Sequence, residues 1–298
     1  MKRFLLIPAL TLLLWGCEDV VDVETPSQPP KLIVEAVLRV DLDEEFIPVI
    51  VRVSETSNFF EDIPVTELEF IQILTNVYDE DGRWQFTHYS SLYEEVPGSG
   101  EYVPDPNFST EQRISTSLLD TPQVDFELHI THKGRRYFAF GEYVPSVPIG
   151  SLELGDRTLF DQDETEVVVR FTDAPDMENF YVFDFGFGNF LATEDTFYEG
   201  QEFFFSYFYD QSFPSGTELE VSLLGATESF YNYMDLLVEQ SESVQGPFQT
   251  PIATVRGNVF DITGLDNIDI SDNVGRPDDF PLGYFIVTQE FKATLTIP

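Results

Sequence analysis

From Lys31 the chain alternates between apolar and polar positions with the period of a strand that has one covered face. The pattern runs through Leu32-Ile33-Val34-Glu35-Ala36-Val37-Leu38 and returns in Val49-Ile50-Val51-Arg52-Val53, where Val49, Val51 and Val53 share a side. Short apolar runs follow at 69–78, 83–89, 124–131 and 136–144, separated by turn-forming stretches such as Asp79-Glu80-Asp81-Gly82 and His132-Lys133-Gly134. Asp81-Gly82 is the sharpest hairpin signal, because glycine accepts positive φ without steric cost. Short strands at near-regular spacing, almost free of helical periodicity, predict an immunoglobulin-like β-sandwich over residues 31–145.

Val144-Pro145-Ser146-Val147-Pro148 reads as a boundary, since two prolines in five residues favour an extended connector that cannot donate to a ladder. Residues 146–298 then predict a second β-rich domain. Val167, Val169 and Phe171 alternate, whereas 180–187 and 203–209 are nearly continuous aromatic runs, the pattern of strands covered on both faces. Phe230, Tyr233, Met234, Leu237 and Val238 fall on one helical stripe, which predicts a helix near 228–240 packed on the second sheet, with Thr227 or Ser229 as N-cap. Phe291, Ala293, Leu295 and Ile297 alternate with Lys292, Thr294 and Thr296 as a half-buried closing strand. The expected fold class is mostly all-β: an N-terminal immunoglobulin-like β-sandwich and a second β-rich domain with one packed amphipathic helix.

The first sixteen residues have a different character. A basic head, Lys2-Arg3, precedes an apolar run too short to span a bilayer, which reads as a secretory signal over 1–16. It ends in Leu14-Trp15-Gly16-Cys17, which resembles the lipobox of bacterial lipoproteins. Cys17 is the only cysteine, which excludes an internal disulfide framework and marks it as the lipidated residue. Residues 17–30, acidic and then proline-rich, read as a tether.

The chain carries 15 Lys and Arg against 54 Asp and Glu, a net charge of −39. Loss of Lys2 and Arg3 with the signal brings this to −41. Such a charge repels nucleic acid and anionic headgroups. It does not imply disorder, because 42% of residues are hydrophobic and 15% aromatic.

Several short pieces, in this order, carry a family resemblance: Cys17-Glu18-Asp19, Asp173-Ala174-Pro175, Asn179-Phe180-Tyr181, the helix at 228–240, Gly246-Pro247-Phe248, Gly257-Asn258-Val259 and Leu282-Gly283-Tyr284-Phe285. They resemble a family of Bacteroidota cell-envelope lipoproteins known as domain of unknown function 4249. The chain departs from that pattern at 260–280, where an Asp/Asn-rich stretch intervenes. The resemblance implies an outer-membrane lipoprotein found alongside TonB-dependent transporters. It also makes Glu18 and Asp19 look like the acidic signal that sends such lipoproteins to the cell surface, the alternative being that they are simply part of the tether.

No catalytic constellation is expected. His88, His129 and His132 are the only histidines, and the odd spacing of the last two puts their side chains on opposite strand faces. Neither a Gly-x-Ser-x-Gly elbow nor a His-Glu-x-x-His motif occurs. Asp266, Asp269 and Asp272 could offer oxygens to calcium, but the stretch lacks the glycine and closing glutamate of an EF-hand, and a solvated loop is the preferred reading. The run 203–209 reads as core rather than as a sugar platform. Trp84 is the only tryptophan left after loss of Trp15, so the tryptophan platforms common in glycan-binding modules are absent.

The function expected from these residues is a surface-exposed, non-enzymatic lipoprotein without cofactor. It would be held to the membrane through Cys17 and partnered by a TonB-dependent barrel, with the 260–280 insertion as candidate contact loop. The alternatives are an independent adhesin or glycan-binding module, and a surface hydrolase.

Replacing Cys17 by serine removes the sulfur that would carry the lipid and should leave unprocessed or soluble protein, because the anchor's strength comes from buried methylenes at about 0.8 kcal/mol each. Fractionation and the intact mass of the mature N-terminus check this, and equal membrane retention of C17S would contradict it.

Overall fold

The structure is a computed structural model that describes residues 29–57, 65–160, 163–176, 178–196, 198, 200–242, 255–265 and 280–298. Fifteen strands follow in order: β1 (Leu32–Val40), β2 (Val51–Glu55), β3 (Phe70–Tyr78), β4 (Trp84–Glu94), β5 (Glu101–Pro104), β6 (Gln123–His132), β7 (Arg135–Val144), β8 (Ile149–Leu154), β9 (Thr165–Thr172), β10 (Phe180–Asp184), β11 (Phe190–Glu194), β12 (Glu202–Tyr209), β13 (Glu218–Ala226), β14 (Val259–Asp261) and β15 (Leu282–Thr296). One helix, α1 (Glu228–Glu242), separates β13 from β14. Among the described residues the chain is thus mostly β with a single packed α-helix.

Strands β1, β2, β5, β4, β3, β6 and β7 pair in that order, and β15 pairs with both β1 and β7, so the hydrogen-bonded ladder of the N-terminal half closes on itself. The ring flattens around a core that includes Val34, Leu38, Val51, Ile73, Phe126 and Leu128. These are the inward positions of the alternating runs, and their burial supplies the main driving force for this half. A second, smaller sandwich forms where β8, β9 and β12 cover β10, β13 and the end of β15. Its core is dominated by aromatic rings, with Phe171 in edge contact with Tyr181, Phe183 and Tyr198 at 5.5 to 5.6 Å. Helix α1 lies on the outer face of this second sheet. Thr227 caps it by accepting a hydrogen bond from the Phe230 N–H, and Phe230 and Met234 pack on Val182, Leu224, Tyr284 and Ile286. The predicted stripe is buried only in its first half, since Leu237 is 36% exposed.

Strand β10 is covered on both faces as expected: Tyr181 and Phe183 enter the aromatic core and Val182 enters the cluster under α1. The run 203–209 is not. It forms β12, at the edge of a three-stranded sheet with one covered face, so Phe203, Phe205 and Tyr207 pack inward while Phe204 stays 60% exposed under the Arg170 guanidinium. Continuous apolarity fails here because the outward ring is shielded by a cation instead of by a second layer.

Residues 145–148 run without strand structure between β7 and β8, but the chain recrosses this connector. Residues 282–289 of β15 pair in parallel with β1, and 290–296 pair antiparallel with β13. Val259 of β14 also packs in the N-terminal core. The crossing depends on close backbone approach. Gly283 has φ +100, and a Cβ there would overlap the Val34 carbonyl, while a Cβ on Gly257 would overlap the Gly283 carbonyl. Beside them Asn258 accepts a hydrogen bond from Phe285 N–H (2.8 Å) and donates to the carbonyls of Phe140 (3.0 Å) and Phe285 (2.7 Å), clipping β7 to β15.

Gly283→Ala should therefore cost on the order of 3 kcal/mol or more, since backbone strain and a clash combine. Gly98→Ala, at φ +84 with open space around it, should cost only about 1 kcal/mol. Urea unfolding midpoints of the two variants check the difference, and equal losses would show that the close approach is not the constraint.

Candidate functional site

Cys17, Glu18 and Asp19 lie outside the described residues, as do Asp266, Asp269 and Asp272. Of the histidines, His132 is buried, with Nε2 3.0 Å from Glu55 Oε1 and Nδ1 3.2 Å from the Glu67 carbonyl. Lys133 Nζ donates to both oxygens of the same carboxylate at 2.8 Å. Burial raises the Glu55 pKa, but the hydrogen bonds from Lys133 and His132 outweigh it and hold the carboxyl below the ordinary glutamate range. This cluster ties β2 to the β6–β7 turn. His88 faces inward opposite Thr75, and His129 faces outward. The three histidines are therefore not brought together.

The motif residues of the second half are also architectural. Tyr181 Oη donates to Asp173 Oδ1 (2.6 Å), Gly200 N–H donates to Asp173 Oδ2 (2.7 Å), and Asn179 donates to the Ala174 carbonyl (2.9 Å). Asp195, itself buried, accepts from Asn179 N–H (3.0 Å). Asp-x-Pro and Asn-x-Tyr thus lock two neighbouring loops at one end of the aromatic sandwich. Burial and the Asp173 carboxylate both push the Tyr181 phenol well up, leaving it a permanent donor at neutral pH.

Two exposed surfaces stand out among the described residues. The first is the β10–β11 hairpin tip, where Gly186, Phe187 and Gly188 have φ of +73, +55 and +80. A left-handed phenylalanine costs about 1–2 kcal/mol, yet the Phe187 ring is 71% exposed. It rests on Phe213, with centroids 5.7 Å apart. A cleft of about 280 Å3 beside it is lined by Arg39, Asp184, Glu218 and Glu220, and another of about 310 Å3 by Phe190, Met234, Leu237 and Val238. Arg39 bridges Asp184 (2.7 Å) and Glu290 (3.0 Å) at the base of the tip. The tether enters β1 at Leu32 and the tip is reached beside Arg39, so the two lie at opposite ends of β1, roughly 23 Å apart at about 3.3 Å per residue.

The second surface is the outer face of β4, β3, β6 and β7. Across it the register aligns Tyr89, Leu74, Glu127 and Phe140 in one row and Thr87, Asn76, Asp125 and Glu142 in the next. Asn76 donates to Asp125 (2.8 Å) and Glu127 (3.0 Å) and accepts from Thr87 (2.7 Å). His129 Nε2 lies 2.8 Å from the other Glu127 oxygen, and this bond, against burial, holds the Glu127 carboxyl below its ordinary range. Tyr78 is pushed up to about 12 by burial and by Asp125. Trp84 joins this face because β4 shifts register between Val77 and Tyr78, pairing Phe86 with Val77 but Trp84 with Tyr78. Without that bulge residue 84 would share the inward side of Phe86 and His88. Its indole N–H donates to Thr87 Oγ1 (3.1 Å).

Among the described residues no group of three His, Cys, Asp or Glu could hold a metal ion, and no helix is long and apolar enough to cross a membrane.

The model of a family described as domain of unknown function (DUF4249) matches residues 18–265. No curated protein matches. The chicken interferon gamma receptor alpha chain is similar over 67% of this chain and 90% of its own, at 11% identity and a TM-score of 0.16, a likeness that carries no argument.

The Glu55 cluster gives a pH dependence of definite sign. A folded-state pKa below the unfolded value, about 4.3 for glutamate, contributes stability that is present above that value and is lost as pH falls through the folded pKa. Wild-type protein should lose this contribution on acidification from about pH 5 to 3, and Glu55→Gln should be less stable at pH 7 with a shallower acid slope. Urea midpoints across that range check it, and parallel slopes would contradict it.

Proposed function

Because the chain belongs to the DUF4249 family, we propose that it acts by binding, as a lipid-anchored outer-membrane protein displayed on the cell surface and serving a TonB-dependent transporter. The observation that carries this reading is the Phe187 tip, an aromatic ring held exposed in a costly conformation at the end of β1 remote from the tether. Strained exposed residues persist where the surrounding structure fixes them for use. Lipid attachment at Cys17 would confine the protein to the membrane plane and raise its effective concentration toward other membrane components, so a small contact suffices. Glu218 and Glu220 beside the tip suit the basic rim of a partner. The Glu18-Asp19 signal would place this end outside the cell.

Affinity purification of the tagged full-length lipoprotein in mild detergent tests the reading. A large outer-membrane barrel should co-purify, and Phe187→Ala should reduce its recovery at least about fivefold, the equivalent of one lost aromatic contact of ~1 kcal/mol. Recovery of no barrel protein with wild-type bait would overturn the transporter reading.

A further inference from the structure

The outer face of β4, β3, β6 and β7 combines features that a purely structural face does not need. Asp125 and Glu127 stand two residues apart on the same side of β6, where two carboxylates repel each other. The sequence holds them there with Asn76, which is 7% exposed and spends its amide on both carboxylates, and with His129. Each carboxylate is half-buried and keeps acceptor capacity toward solvent. Beside this fixed polar centre, the bulge turns Trp84 onto the face that carries Tyr89, and the two rings are 61% and 55% exposed. Bulges characteristically re-aim a side chain in this way next to functional sites. The rings sit about four residues apart along the strand, or roughly 13 Å. Phe140, 43% exposed, borders the opposite side across β3 and β6, about 14 Å away at three strand spacings.

We propose that this face binds an extended, neutral oligosaccharide, a function separate from docking through the Phe187 tip. Sugar rings present an apolar face and a rim of hydroxyls. Trp84 and Tyr89 offer two platforms for the apolar faces, and Asp125 and Glu127 offer oriented acceptors for hydroxyl protons. The charge of the face selects among ligands: with Asp125, Glu127 and Glu142 in adjacent rows and no Lys or Arg in those rows, it repels uronic, sulfated or phosphorylated glycans and accepts uncharged ones. A single tryptophan does not make a tandem platform. Here the second ring is a tyrosine, and a register shift that composition does not reveal brings the tryptophan onto its face.

The mature protein carries Trp84 as its one tryptophan, so its fluorescence reports directly on the site. The test titrates the full mature chain with soluble neutral polysaccharides (xyloglucan, galactomannan, dextran and yeast mannan) and with polygalacturonate as the anionic control, alongside affinity electrophoresis in the same polymers. At least one neutral polymer should shift the Trp84 emission and retard the protein, and polygalacturonate should do neither. Tyr89→Ala and Trp84→Ala, both at exposed rings, should each weaken retardation at least about fivefold. Asn76→Ala should weaken it while leaving the free carboxylates in place. Phe187→Ala should bind as wild type, which separates this site from the docking tip. Absence of retardation by all four neutral polymers, equal retardation by polygalacturonate, or wild-type binding by both ring variants would overturn the proposal.

Discussion

The fold depends on the passage of β15, and of Ile297 just beyond it, through the three hydrophobic clusters formed by the described residues. Phe285 and Val287 enter the N-terminal core, Tyr284 and Ile286 lie under α1, and Leu295 and Ile297 reach the aromatic sandwich. A strand so placed has no solvent face over its first half, which is why Gly283 to Thr288 are buried without interruption. Its parallel pairing with β1 forces two backbones close together at Gly283, and Asn258 supplies the hydrogen bonds that the local ladder would otherwise leave unmade. Remove that fit and the N-terminal ring opens while the second sandwich loses the strand that joins it to the first.

Among the described residues, the short motifs that carry the family resemblance have structural contacts. Gly257-Asn258 and Gly283-Tyr284-Phe285 close the crossing. Asp173-Ala174-Pro175 and Asn179-Phe180-Tyr181 lock the loops of the aromatic sandwich. The crossing combines glycines at close backbone approach with the half-buried Asn258, and the loop lock combines the buried Asp173 with Tyr181 and Gly200, so that the polar groups drawn inward are satisfied. The two surfaces proposed for binding, the Phe187 tip and the polar–aromatic face of β4, β3, β6 and β7, lie outside these motifs, where side chains are exposed at a conformational or electrostatic cost.

Much of the frame was legible in the sequence. The alternating runs form strands at 32–38, 51–53 and 291–296 because period-two apolarity has one covered face to fill, and the stripe from Phe230 to Met234 packs as its spacing requires. What the sequence hid follows from contacts distant along the chain. The buried first half of β15 reads only as a short apolar motif, because its partner β1 lies some 250 residues earlier. Edge position exposes Phe204 in a run that reads as core. The Trp84 face depends on a bulge, and a one-residue register shift reverses which side a residue faces. The left-handed Phe187 gave no signal beyond its flanking glycines.

With β15 shared between them, the two halves should unfold as one cooperative unit. Equilibrium urea unfolding of residues 17–298 followed by Trp84 fluorescence, which reports the N-terminal ring, and by far-ultraviolet circular dichroism, to which the strands of both halves contribute, tests this directly. Coincident transitions with a single midpoint are expected. Two separated transitions would show that each half stands alone and that the crossing strand does not hold the molecule together.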